Sequence, residues 1–188
     1  APHHDLEGAS NTGAVYRFEF DGVSWTQAEK MVLADPQHNT EFGGVIEASS
    51  GAVAFGLPQI KQQAGRVLLY EKTLYGWSLQ QTLVSSQAND AFGGSLDISG
   101  HVLIVGAHRD SSRGDGAGAA YIYKRIFDGW ELEQKLLPNR SGDDLWFGEA
   151  VAVSAGRAVV GQTGYYTGDG PETGNWNDAT VYIFEESS

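Results

Sequence analysis

Four of the five histidines, His3, His4, His38 and His108, sit in polar segments between apolar runs, and Asp110 stands two residues beyond His108. Imidazole near carboxylate suits acid–base work or metal ligation; the plainer alternative is that polar residues accumulate in loops. No H-E-x-x-H helix, paired-carboxylate motif or G-x-S-x-G elbow is present to support catalysis. The chain has no cysteine, which removes thiolate metal sites, cysteine nucleophiles and disulfides together. Pro2 after Ala1 lacks the backbone N–H that a square-planar copper site at His3 would use. The residues therefore predict no catalytic group, no metal, no cofactor and no enzyme activity.

A different chemistry is written into the segment from Gln162 to Asp178, which carries Tyr165, Tyr166, Asp169, Glu172, Asn175 and Trp176. Aromatic planes beside amide and carboxylate groups suit a sugar, whose C–H face stacks while its hydroxyls hydrogen-bond. The alternative is a packing loop with Trp176 and Tyr165 buried against a neighbour. Tyr165, Tyr166, Asp169 and Trp176, with His108 and Asp110, are the candidate ligand-binding residues. Arg113-Gly114-Asp115 reads as a coincidence in a loop already rich in Gly and Asp, Asn139-Arg140-Ser141 is a glycosylation sequon informative only in a eukaryotic source, and Trp146 is expected to pack at an element edge.

The elements that must position these residues recur. An aromatic-glycine pair stands at Phe42-Gly43, Phe92-Gly93 and Phe147-Gly148, separated by 50 and 55 residues; apolar runs close on Gly56, Gly106 and Gly161; glycine turns precede Trp25, Trp77 and Trp130. That period is expected of a four-stranded sheet repeated about an axis as a propeller blade. Twenty-five glycines in 188 residues, with Val, Ile, Tyr, Phe and Trp spread throughout, suit short strands and tight turns.

Within one copy, Leu96 and Ile98 alternate as a first strand, as do Val151 and Val153. A short turn at Ser49-Ser50-Gly51, Ser99-Gly100 or Ala155-Gly156 leads to Ala52-Val53-Ala54-Phe55, Val102-Leu103-Ile104-Val105 or Ala158-Val159-Val160, unalternating runs that predict a second strand buried on both faces. A third strand occurs four times, at Ala14–Phe18, Val67–Tyr70, Ala119–Tyr123 and Thr180–Phe184. The fourth starts at each tryptophan, with period-two alternation through Trp77, Leu79 and Leu83 and through Trp130, Leu132 and Leu136. Trp25 to Leu33 has helical propensity, but the repeat places a strand there.

Asp90-Ala91-Phe92-Gly93-Gly94-Ser95-Leu96, Val105-Gly106-Ala107-His108-Arg109-Asp110, Gly118-Ala119-Ala120-Tyr121-Ile122-Tyr123 and Gly129-Trp130 resemble the FG-GAP repeats of integrin-alpha-type beta-propellers. The resemblance covers essentially the whole chain and implies that loops joining strands two to three and four to one share the ligand face. In such blades the turn between strands one and two is often an aspartate-rich calcium loop; here it is Ser-Gly, which cannot assemble the six to eight oxygens calcium needs, so the variant without calcium loops is expected. The fold expected is all-β, in blades of four antiparallel strands, forming a single unit over 1–188 with repeats at about 1–56, 57–106, 107–161 and a partial one at 162–188. Two, four, four and three strands are expected, thirteen in all and about three blades. That is either part of a larger propeller or a protomer that closes a ring with a second copy, because propellers close with four to eight blades and raw edges invite pairing.

With 12 basic and 24 acidic residues the net charge is −12, which repels nucleic acid and anionic membranes. No stretch approaches the roughly 20 apolar residues that span a bilayer, and Ala1-Pro2-His3-His4 is not a signal peptide. The reading that results is a non-catalytic extracellular or cell-surface binding or assembly module, engaging a protein partner or itself through open blade edges. The alternatives are a lectin-like module that takes a glycan, a structural subunit of a surface filament, and an accessory domain of a larger enzyme.

Overall fold

The computed structural model describes residues 5, 10–35, 39–49, 51–58, 64–164 and 179–185, and these contain thirteen strands and no helix. They form four antiparallel meanders. The first sheet pairs β1 (Val15–Phe20) with β2 (Trp25–Met31). The second orders β3 (Val45–Ser49), β4 (Ala52–Leu57), β5 (Ala64–Thr73) and β6 (Gly76–Ala88). The third repeats that order with β7 (Ser95–Ser99), β8 (Val102–Ala107), β9 (Ala119–Ile126) and β10 (Gly129–Leu136), and the fourth holds β11 (Phe147–Ser154), β12 (Arg157–Gln162) and β13 (Thr180–Glu185). These are propeller-type blades of two, four, four and three strands, and the described sheets do not close a ring. Residues Trp25–Met31 are extended, as the repeat and not the local propensity requires.

Each blade is rotated onto the next by packing, not by chain connection alone. β4 and β8 are covered on both faces, as their unalternating composition predicts, whereas β12, in the outermost sheet, alternates exposed and buried positions. Phe42, Phe92 and Phe147 are fully buried, each at the head of its own blade's first strand and each in a core shared with the preceding sheet. Phe42 meets the Phe55 ring edge-on at 5.0 Å, Phe92 meets Tyr121 at 5.2 Å and Phe147 meets Tyr182 at 5.1 Å, the T-shaped geometry aromatic quadrupoles favour.

The repeated glycines are explained by the same seams. A Cβ on Gly56 would run into the carbonyl of Gly93, and one on Gly106 into that of Gly148, both well inside 3.0 Å. Main chains of consecutive blades therefore touch where the second strand of one passes the aromatic-glycine pair of the next.

One expectation is corrected in the fourth strands. The period-two alternation from Trp130 to Leu136 is broken by a bulge at Glu133, since Leu132 pairs with Tyr123 but Gln134 with Ile122. Equivalent bulges fall at Gln80 in β6 and Ala28 in β2. The extra residue flips the phase of the strand, so Trp130 joins the core shared with the second sheet while Leu136 joins that shared with the fourth. A regular strand would have put both on one face.

Candidate functional site

The loops joining second to third strands, and those joining one blade to the next, lie at one end of the sheets. Their course is set by residues that accept a left-handed backbone. Three and one positions before each Phe-Gly pair φ is positive, at Asn39 and Glu41, Asn89 and Ala91, and Asp144 and Trp146. Asn and Asp tolerate that region best among non-glycine residues, and the polar first members of the pairs follow from it.

Asp110 braces the largest of the described loops, 108–118. Its side chain is 0% exposed. Oδ2 accepts from the Tyr121 hydroxyl at 2.9 Å and from Lys135 Nζ at 2.7 Å, while Oδ1 accepts the Ser112 N–H at 2.9 Å. Burial alone would push this carboxyl up, but Lys135, Ser112 and Tyr121 outweigh burial and hold it below the usual carboxylate range. Burial, and then the Asp110 charge, push the Tyr121 hydroxyl well above its ordinary value. Lys135 Nζ also reaches Ser112 Oγ at 2.7 Å.

Beside this loop a cleft of about 460 Å³ opens between blades, lined by Asn89, Arg109, Ser111, Asp115, Asp144 and Trp146. Its lining carries one cation, two carboxylates, an amide, a hydroxyl and an indole. The Trp146 ring stands edge-on to His108 at 6.2 Å. Burial pushes the His108 imidazole below its ordinary range, with the Arg109 charge adding and Glu149 opposing, which keeps the ring neutral at physiological pH. Such a lining can recognise a ligand with charged and hydrogen-bonding groups of both kinds. Among the described residues no group of three His, Cys, Asp or Glu side chains is placed to hold a metal ion.

Of the residues the sequence singles out, His108 is half-buried next to this cleft and Asp110 is enclosed behind it, bracing the loop instead of meeting solvent. Tyr165, Tyr166, Asp169 and Trp176 lie outside the described residues, as do His3, His4 and His38. Sequence reasoning missed Asn89, Arg109, Ser111 and Asp144. The one signal that could have found two of them is the Asn or Asp three residues before Phe-Gly. In Arg113-Gly114-Asp115 the main chain is tied down, with the Gly142 N–H donating to Arg113 O at 3.0 Å and the Asp144 N–H to Asp115 O at 2.7 Å.

Residues 77–123, from β6 through β9, match the family model of the FG-GAP repeat. The chain carries an FG-GAP repeat. The matched stretch runs from one Gly-Trp strand, through a Phe-Gly pair and its closing glycine, to the tyrosine-bearing third strand of the next blade. The matched stretch thus crosses a seam between sheets, where the main chains of Phe92 and Gly93 lie against Gly65 and Gly56. No curated protein matches the chain.

The sheets at the two ends of the array differ from the inner ones in exposure. Tyr16 and Trp25 occupy the positions of Tyr121 and Trp130, and they are 36% and 69% exposed where the inner pair are 7% and 4%. At the other end Val181 and Ile183 of β13 are exposed. Two apolar sheet faces are therefore open, one at each end of the array.

Proposed function

We propose that the chain is a non-catalytic extracellular or cell-surface binding module that takes a protein ligand on the loop end of its FG-GAP blades. The carrying observation is the polar cleft around Arg109, Asp144 and Trp146, beside the buried Asp110 network and lined from three of the described loops. Sites on braced loops of a rigid scaffold are where binding is usually grafted. The FG-GAP repeat supports the binding role.

The test is a thermal-shift titration with short acidic and basic peptides and with saccharides, since a ligand of the native state raises the melting temperature. A peptide that stabilises the chain but not its Arg109→Ala or Asp144→Ala variants supports the reading. Stabilisation by saccharides alone favours the lectin-like alternative, and turnover of any probe would sink the non-catalytic one.

The exposed faces at the two ends of the array favour a second reading, assembly through open blade edges with a protein partner or another copy. Exposed Tyr16, Phe18 and Trp25 form the kind of aromatic surface that marks contact sites. Sedimentation over a range of concentrations checks it.

A further inference from the structure

The hairpins that join third to fourth strands lie at the end of the sheets opposite the loop-end cleft, beside the short turns between first and second strands. There the Lys72 N–H donates to Gly51 O at 3.1 Å and the Arg125 N–H to His101 O at 2.8 Å. In the two four-stranded sheets these hairpins turn in two residues, Leu74-Tyr75 between Thr73 and Gly76, and Phe127-Asp128 between Ile126 and Gly129. Leu74 and Tyr75 are 99% exposed, and Phe127 is fully exposed. The first sheet repeats the feature with Val23, bare in the turn between β1 and β2.

Nothing local asks for apolar side chains at these apices. Gly76 and Gly129 take the positive φ of each turn, 115° and 151°, which leaves the residues before them free to be the Asn, Asp or Ser that turns favour. Leu74, Tyr75 and Phe127 join no core cluster. Single exposed apolar residues are ordinary; the same apex bared in successive blades is a pattern. Its surroundings suit lipid. Residues 71–77 and 124–130 hold Lys72, Lys124 and Arg125 against Glu71 and Asp128, so the acidic excess of the chain lies elsewhere. Arg125 Nη2 meets Glu71 Oε2 at 2.7 Å and ties the base of one hairpin to the base of the next. The β5–β6 turn also satisfies its own polar groups, with the Tyr75 N–H donating to Thr73 Oγ1 at 3.2 Å and the Thr73 hydroxyl to Gly76 O at 2.9 Å. A turn that enters a bilayer surface needs that, because lipid tails offer no hydrogen-bond partner.

We propose that the hairpin end is a membrane-docking surface, on which Leu74, Tyr75 and Phe127 enter the interface of a bilayer with neutral, zwitterionic headgroups. The net charge of −12 sets anionic lipid aside. Leu74 and Phe127 supply the apolar contact, and Tyr75 sits at headgroup level, as amphipathic rings do. Three side chains on separate apices offer less than the roughly 800 Å² that each side of a stable protein interface buries, whereas a bilayer demands no shape complementarity. Docking this way turns the loop-end cleft away from the bilayer and uses none of the residues that line it.

The test is flotation of the whole chain with phosphatidylcholine vesicles at low and at high salt. Co-flotation is expected in both. The partition coefficient should fall about tenfold for Phe127→Ser, and about a hundredfold when Leu74→Ser is added. Both variants should keep the wild-type melting temperature, because the side chains removed are bare. Arg109→Ala, which empties the loop-end cleft of its cation, should float as the wild type does. Failure to float, or equal flotation of the double variant, overturns the docking surface. Binding that requires added phosphatidylserine and disappears at high salt would be electrostatic, and overturns the apolar apices as its cause. Self-association without lipid that Phe127→Ser dissolves would assign the apices to a second copy and overturn the choice of occupant.

Discussion

The junction between the second and third sheets and the junction between the third and fourth are built from the same residue types in the same register, yet one is a closed core and the other holds a cleft lined by Ile122, Gln134, Ala158 and Phe184. The difference is one strand. In the filled junction Leu83 comes from the earlier sheet and Trp130 from the fourth strand of the later one; in the open junction Leu136 plays the first part, and the later sheet is described only to its third strand. A seam between blades is thus owned by neither blade. Burial at a given repeat position reports whether a neighbour is there, not what the residue is, which is why Trp25 and Trp130 share a sequence setting and differ so widely in exposure.

The largest effect that can break this comparison is at tryptophan. Trp130→Ala should cost about 3–5 kcal/mol, the range for emptying a buried aromatic site. Trp25→Ala should stay within about 0.5 kcal/mol, as at an exposed position. Urea unfolding of both variants decides it, and equal losses would show that the face of the first sheet is covered in solution.

Glycine gives the next contrast. Gly106→Ala drives a Cβ into the Gly148 carbonyl and should cost about 3 kcal/mol, because the obstruction is main chain that cannot rotate away. Gly161 is its equivalent one blade on, has no positive φ, and would place a Cβ no nearer than 3.5 Å from Ala150. Gly161→Ala should therefore be neutral or stabilising by about 0.5 kcal/mol. A large loss at Gly161 would mean that another main chain already lies against it.

Strand positions are legible in the sequence because their signals are local: alternation through Leu96 and Ile98, glycine turns before Trp77 and Trp130, and four tyrosine-bearing or leucine-bearing third strands. The Phe-Gly pairs announce the seams as well, since only the recurrence of both residues makes sense of a buried ring beside a touching backbone. Facing is another matter. Nothing in Glu131-Leu132-Glu133-Gln134 marks Glu133 as the bulge, and without the bulge Trp130 and Leu136 read as one face. Asp110 reads as a loop carboxylate free to meet a ligand, and its enclosure depends on Lys135, which is 25 residues distant and reaches it only through the register of β9 with β10. The lining of the loop-end cleft comes from three loops, so no single stretch of sequence spells it.

A side-chain clamp sharpens the comparison at intermediate magnitude. Gln81→Ala removes two hydrogen bonds to the Trp130 main chain in a half-buried setting and should cost about 1–2 kcal/mol. Gln134→Ala, at the equivalent place beside the cleft, should cost less than about 0.5 kcal/mol in the isolated chain.

The smallest effect runs the other way and lies on the first strands, where the open junction is the better satisfied. Asp97 Oδ2 accepts the Val153 N–H at 2.6 Å, reaching from the third sheet to the fourth. Glu47, which occupies the position of Asp97 in the second sheet, faces that same carboxylate across the filled junction, and burial, with the Asp97 charge behind it, holds its carboxyl above the usual range. A carboxyl raised in the folded state binds its proton more tightly there than in the unfolded chain, so its contribution is present below the ordinary glutamate value and is lost as pH rises through the raised one. Glu47→Gln should therefore add a few tenths of a kcal/mol at neutral pH, about the scale of a surface substitution, and flatten the fall in stability above the ordinary glutamate range. Melting temperatures of both proteins across mildly acidic to neutral buffers measure that slope, and an unchanged slope in the variant would place the strain elsewhere than between Glu47 and Asp97.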